Sequence, residues 1–208
     1  MMSSIRNVYC VGRNYRLHAE ELGNEVPTSP MIFLKPSHAA VPFTTDSLVL
    51  PTDQGEIHYE AELVVRIGRE YEPGLSAEQL VDGVALGIDF TLRDVQSVLK
   101  KKGHPWTAAK GFKNSAPVTE FIPFPGDQGW LDNEFALLKN DQQMQLGSTK
   151  NMIFSLETIM EHIGETYGLS AGDIIFTGTP EGVGPVAAGD TFELIYAGQS
   201  VGTCRIAE

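Results

Sequence analysis

Short apolar runs, many of them alternating with polar residues, outnumber stretches of helical spacing along this chain. Residues 5–12 (IRNVYCVG) predict a short buried strand closed by Gly12. A short helix, YRLHAEEL, follows, with Asn14 as its N-cap and Gly23 at the C′ position. MIFLK predicts a strand stopped by Pro36, and residues 37–55, rich in Pro, Thr and Asp, predict loops and short strands. HYEAELVVRIG is the clearest strand, β-branched and aromatic, ended by Gly68. Residues 76–83 read as helical and VALGIDF as a second buried strand. TLRDVQSVLKKKG has the marks of a helix: Thr91 at the cap, Asp94 three residues on, Gly103 and Pro105 beyond the end. FALLKND and QMQLGST predict a hairpin around Asn140-Asp141. FSLETIMEHIGETYG reads as a helix, DIIFTGTPEGVGP as a strand running into a Gly/Pro loop, and TFELIYAGQSVGTCRI as a closing hairpin turning near Gly198. There is no internal repeat and no low-complexity linker. The expected fold class is therefore mixed α+β, mainly β, as one domain over residues 1–208.

Length and charge narrow the function. A chain of 208 residues with 42% hydrophobic content buries a core without disulfide staples. Its net charge of −12 repels phosphate backbones and anionic membranes, so neither nucleic acid nor membrane is an expected partner. Lys100, Lys101 and Lys102 make too short a basic cluster to reverse this and read as a solvated helix end. No apolar run approaches the ~18 residues of a membrane span, and the N-terminus lacks the pattern of a signal peptide. Cys10 and Cys204 are expected as free buried thiols in a reducing compartment, which places the protein in the cytoplasm.

The candidate chemistry centres on carboxylates. Glu60 and Glu62 lie two apart on the best strand, so alternation turns both to one face, with Cα atoms roughly 6.6 Å apart. Tyr59, Ala61 and Leu63 face the other way. Like charges on one face of an apolar strand are costly unless something positive joins them. Asp89 ends a buried strand, where an aspartate is out of place. Three carboxylates make an all-oxygen donor set, which favours a hard cation, Mg²⁺ or Mn²⁺. Spacing alone leaves a second reading open, in which the glutamates line a solvent-facing edge and Asp89 caps the next helix. His18 and Glu21 share a helix face at i, i+3, either as a general-base pair or as an ordinary surface contact. Lys110 either faces a pocket or is solvated. The loop TGTPEGVGP either cradles an anion or is only a tight loop; it fits neither a P-loop nor a dinucleotide fingerprint.

Four segments in order, CVGRNYRLHAEELGNEVPTSPMIFLKP, HYEAELVVRIG, GIDFTLRDVQSVLKKKGHPWTAAKGF and FTGTPEGVGP, closely resemble the fumarylacetoacetate hydrolase family. The match runs over roughly residues 5–206 and is best with its compact acylpyruvate- and fumarylpyruvate-hydrolysing branch, which includes oxaloacetate-acting relatives. The resemblance implies a β-sandwich roll with a few helices, a homodimer, and one Mg²⁺ or Mn²⁺ held by Glu60, Glu62 and Asp89. It implies a water-activating dyad of His18 and Glu21 on a lid helix, with Lys110 and Gln96 as further catalytic residues. Arg13, Asn14 and Thr179 match positions that bind substrate. The implied substrate is a small 2-oxo acid that chelates the metal through its carboxylate and keto oxygens.

The implied reaction is hydrolysis of the carbon–carbon bond of an acylpyruvate. His18 activates water against the distal carbonyl, and the metal with Lys110 stabilises the departing pyruvate enolate. The alternatives are decarboxylation or keto–enol tautomerisation of oxaloacetate, and isomerisation or hydration of dienoic 2-oxo acids. A non-catalytic domain that kept the fold is the remaining alternative.

Overall fold

A computed structural model describes residues 5–23, 25–43 and 47–208. Residues 1–4 of the N-terminal segment and 44–46 of the expected 37–55 loop region lie outside the described residues.

The strands are β1 (Val8–Gly12), β2 (Met31–Lys35), β3 (Ala40–Pro42), β4 (Ser47–Leu48), β5 (Ile57–Tyr59), β6 (Ala61–Ile67), β7 (Val81–Ile88), β8 (Thr91–Leu92), β9 (Ala116–Val118), β10 (Ile122–Pro123), β11 (Glu134–Lys139), β12 (Gln142–Ser148), β13 (Ile174–Phe176), β14 (Gly184–Pro185), β15 (Thr191–Tyr196) and β16 (Gln199–Ile206). The helices are α1 (Arg16–Glu21), α2 (Ala77–Leu80), α3 (Arg93–Lys102), α4 (Thr107–Lys110), α5 (Gly126–Asp132) and α6 (Leu156–Thr166). The architecture is mixed α+β and mostly β, as expected.

Among the described residues, an eight-stranded sheet runs β2-β1-β13-β6-β7-β9-β3, with β10 also on β7. A five-stranded sheet runs β12-β11-β15-β16-β4, and a small one runs β14-β5-β8. One large apolar cluster fills the space between them, from Leu63 and Val65 of β6 to Leu137 of β11 and Phe192 of β15; α6 adds Ile159 and Ile163. A second cluster packs Val8 and Cys10 of β1 with Val64 and Phe176. Cys10 and Cys204 are buried free thiols on β1 and β16.

The segment read as one strand over residues 58–68 is two, β5 and β6, parted at Glu60. Ala61 pairs with Ile88 and His58 with Thr91, in one unbroken register that sets Glu60 opposite Asp89. The Asp89 N–H still donates to the Glu60 carbonyl there, at 2.8 Å. The ladder opens at that pair and closes again beyond it as β5–β8.

Several local expectations need correction. Asn14 does not cap α1; Tyr15 stands at that position, and the Asn14 side chain bonds elsewhere. Thr91 is in β8, and α3 starts after Leu92. The helix expected over 76–83 shortens to α2 because Val81–Gly83 join β7. Helices α4 and α5 carry too few residues to show a helical period and were not expected from the sequence. The hairpin at Asn140-Asp141 is present, with both residues in the left-handed region at φ 51 and 65. That geometry favours glycine at the second turn position. Asp141→Gly is expected to raise stability by about 0.5–1 kcal/mol, since relief of left-handed strain outweighs the entropy glycine adds to the unfolded chain. Urea denaturation checks this; a lower midpoint contradicts it.

Candidate active site

The strand register places the acidic cluster. Glu60 and Asp89 face each other at the gap in the ladder, and the Asp89 N–H donates to the Glu60 carbonyl at 2.8 Å. Glu62, two residues on, shares the face of Glu60. Carboxylate oxygens of Glu60, Glu62 and Asp89 lie within 4.8 Å of one another, and all three residues are buried. This excludes the solvent-facing edge that spacing alone left open.

Three buried or half-buried cations answer them. Lys110, at the end of α4, places Nζ 2.8 Å from Glu60 Oε2, 2.6 Å from Asp89 Oδ2 and 2.6 Å from Thr91 Oγ1. Arg93 Nη2 donates to Glu60 Oε1, and its Nη1 donates to Gln96 Oε1 at 2.7 Å. Lys35 Nζ stands 2.7 Å from Asp89 Oδ1. It also donates to the carbonyls of Phe90 at 3.2 Å, of Ser115 at 3.0 Å, and of Lys110. Lys35 therefore ties the end of β2 to Asp89 and to the end of α4.

The pKa directions follow from this packing. Burial pushes the Glu60 carboxyl up, but Lys110 and Arg93 overcome it and hold it well below the usual range. Burial, with the charges of Asp89 and Glu60, pushes Glu62 well above it. Burial works against the charge on Lys110, and Asp89 and Glu60 more than restore it. Burial lowers the His18 imidazole, against the pull of Glu60 and Glu21.

His18 is buried on α1, its Nδ1 3.5 Å from Glu21 Oε2 without hydrogen-bond alignment. Glu21 accepts from the Gly182 N–H at 3.2 and 3.3 Å, which docks α1 on the Gly/Pro loop. The same loop donates its Gly178 N–H to Glu62 Oε2 at 2.7 Å. Gly178 has φ +107, and a Cβ there would stand 2.6 Å from the Asn14 Cβ, so only glycine fits.

His18, Glu60, Glu62, Asp89 and Lys110 line one cleft. Arg13, Arg93, Gln96, Lys100 and Thr179 line it too, and the other four histidines do not. Asn14, expected at the substrate, is outside the cleft lining. Its Nδ2 donates to the Thr177 carbonyl at 2.8 Å and its Oδ1 accepts from the Phe154 N–H at 2.8 Å, so it clamps the Gly/Pro loop to the segment before α6.

Lys35, Arg93 and Gln145 have no counterpart among the sequence-based candidates. Lys35 ends an apolar strand before a proline, where a lysine is ordinarily solvated. Arg93 carried a signal: a cation in the first turn of a helix opposes the helix dipole and needs another reason to be there. Gln145 sits in an edge strand whose alternation suggested no inward side.

The donor set fits a hard divalent cation. Every candidate ligand atom is a carboxylate oxygen, the oxygens converge, and Asp89 Oδ1 receives no aligned hydrogen bond.

A protein-family description, the C-terminal region of fumarylacetoacetate hydrolase, matches residues 7–206. The chain belongs to the fumarylacetoacetate hydrolase family. An oxaloacetate tautomerase, YcgM, of Escherichia coli K12 is 38% identical over 204 residues, covering 96% of this chain and 92% of the relative. A mitochondrial oxaloacetate decarboxylase of Dictyostelium discoideum is 38% identical over 190 residues, covering 90% and 87%. The crystal structure of a fumarylpyruvate hydrolase from Pseudomonas aeruginosa, in complex with Mn²⁺ and pyruvate, superposes with a TM-score of 0.89 at 35% identity, covering 98% and 90%. Members of this family are enzymes, and the named relatives act as tautomerases, decarboxylases and hydrolases. No helix among the described residues is long and apolar enough to cross a membrane.

Two outcomes follow from the site. Lys35→Met removes a buried cation from Asp89 and leaves its carbonyl acceptors unpaired, so it is expected to cost about 3–5 kcal/mol of stability by chemical denaturation. A loss under 1 kcal/mol contradicts its role. The raised Glu62 carboxyl must ionise to become a ligand, so Mn²⁺ binding is expected to release a proton and to weaken as pH falls. Calorimetry in buffers of different ionisation enthalpy measures that proton; pH-independent affinity contradicts it.

Proposed function

We propose that this chain is a divalent-cation-dependent enzyme that interconverts the keto and enol forms of oxaloacetate. The observation that carries the reading is the charge balance of the cleft. The carboxylates of Glu60, Glu62 and Asp89 face three cations, Lys35, Arg93 and Lys110. A divalent ion would leave the site with a surplus of two positive charges, the complement of a dianionic substrate. Arg13 and Lys100 line the same cleft and add to that field. A dicarboxylic 2-oxo acid answers this charge better than acetylpyruvate, whose far end is a neutral methyl ketone; oxaloacetate and fumarylpyruvate, both dianions, answer it equally. Relatives named for oxaloacetate favour the four-carbon acid of the two.

Glu60, Glu62 and Asp89 would hold Mg²⁺ or Mn²⁺. The bound ion would polarise the 2-oxo group and make the C3 protons acidic. His18, kept neutral by burial, takes a proton from C3. Glu21 orients the imidazole and stabilises its charged form. Lys110, in the same cleft, would stabilise the oxygen on which negative charge gathers, and the proton taken by His18 passes from its imidazolium to that oxygen to complete the enol. Gln96, fixed by Arg93, and Thr179 hold the substrate in the cleft. We further propose that the protein works in the cytoplasm, as its two buried free thiols suggest, and as a homodimer, as the family resemblance implies.

Hydrolysis of acylpyruvates is the second reading. The buried His18 beside Glu21 favours it, because the same base would serve a water molecule. The fumarylpyruvate hydrolase neighbour supports it at the level of the fold.

The test is a chelator-treated sample given enol-oxaloacetate, followed by ultraviolet absorbance and CO₂ release, with and without Mg²⁺. Acetylpyruvate and fumarylpyruvate are assayed in parallel for pyruvate. A cation-restored keto–enol rate, lowered about 10²-fold or more in His18→Ala, is expected. Pyruvate release from the acylpyruvates, with no acceleration on oxaloacetate, would overturn the first reading in favour of the second.

A further inference from the structure

β12 inverts the packing rule for a half-buried strand. Gln145 is 1% exposed, while its neighbours Met144 and Leu146 are 37% and 49% exposed. A core ordinarily takes the apolar pair and leaves the amide in water. The inversion has a structural cause. Leu137 of β11 pairs with Gln145 but Leu138 pairs with Gln143, so Met144 is the extra residue of a β-bulge. Bulges re-aim side chains and recur beside functional sites.

Once turned inward, the Gln145 amide is fully used. Its Oε1 accepts from the Ala61 N–H at 2.9 Å. Its Nε2 donates to Thr179 Oγ1 at 2.9 Å and to the Pro180 carbonyl at 2.9 Å. Ala61 is the residue between Glu60 and Glu62. Thr179 and Pro180 follow Gly178, whose N–H holds Glu62. The Gly/Pro loop also rests on the bulge itself: Gly182 has φ +95, and a Cβ there would run into the Met144 carbonyl.

We propose that Gln145 is a positioning residue for the carboxylate cluster. It joins the backbone between Glu60 and Glu62 to the loop that holds Glu62, and so fixes the spacing of the cation ligands from a strand of another sheet. A buried amide that served packing alone would give way to the apolar residues on either side of it. The inference rests on the reading of the cluster as a divalent-cation centre.

The test is Mn²⁺ titration of the whole chain, by calorimetry, on the parent protein and Gln145→Met, which keeps length and removes the hydrogen bonds. Ile163→Val, in α6 and away from the cleft, controls for lost stability. Thermal unfolding in chelator confirms that each variant is folded. The expected result is a 10- to 100-fold weaker Mn²⁺ affinity for Gln145→Met, with the control unchanged. If Gln145→Met does not fold, Gln145→Asn, whose amide is too short to span Ala61 and Pro180, decides by the same readout. Parent-like affinity in the folded variant overturns the role of Gln145 and leaves the cation centre standing. No Mn²⁺ binding by the parent chain overturns the centre and the inference together.

Discussion

Three carboxylates are forced together by strand register, and the molecule around them is arranged to keep them ionisable and in place. The β6–β7 ladder sets Glu60 against Asp89 and alternation adds Glu62. Burying one uncompensated ion costs several kcal/mol, so the cluster exists only with its cations. Those cations come from separate parts of the chain: Lys35 from the end of β2, Arg93 from the start of α3, Lys110 from the end of α4. The connections between these elements are thereby tied to one point.

The second support is the Gly/Pro loop after β13. Its N–H groups reach Glu62 through Gly178 and Glu21 through Gly182, and its carbonyls reach Asn14 through Thr177 and Gln145 through Pro180. Glycines at positive φ let the backbone come this close. One loop thus holds Glu62 of the cluster and Glu21 beside His18, so α1 and the carboxylate cluster share a frame. The proposed proton transfer at C3 would need that shared frame, because it depends on where the imidazole stands relative to the keto group.

The sequence was most legible where one local rule governed. Period-2 alternation and β-branched content marked the long strands, and the Asn140-Asp141 and Ala197-Gly198 turns closed the expected hairpins. The pairing of Glu60 with Glu62 was legible from alternation. Its pairing with Asp89 was suggested by an aspartate at the end of an apolar strand and explained only by the register. Lys35 was illegible because a lysine ending a strand looks solvated until the opposite carboxylate is seen. Asn14 misled because a capping residue before a helix and an amide clamp to distant backbone look the same in sequence. Gln145 was hidden by the bulge, which changes which side of β12 faces inward and leaves no trace in the alternation. The resemblance to the fumarylacetoacetate hydrolase family carried the roles that spacing left open; the charge of the cleft favoured a dianionic substrate, and the relatives favoured oxaloacetate among such substrates.

Every role proposed for the cleft requires the carboxylate cluster to be the cation site. Crystals of the protein grown with Mn²⁺ would settle this by anomalous diffraction at the manganese edge. The predicted result is one strong peak bridging oxygens of Glu60, Glu62 and Asp89, with the Lys110 ammonium shifted off Asp89. A peak at other residues, or none with the Lys110 contacts unchanged, would contradict it.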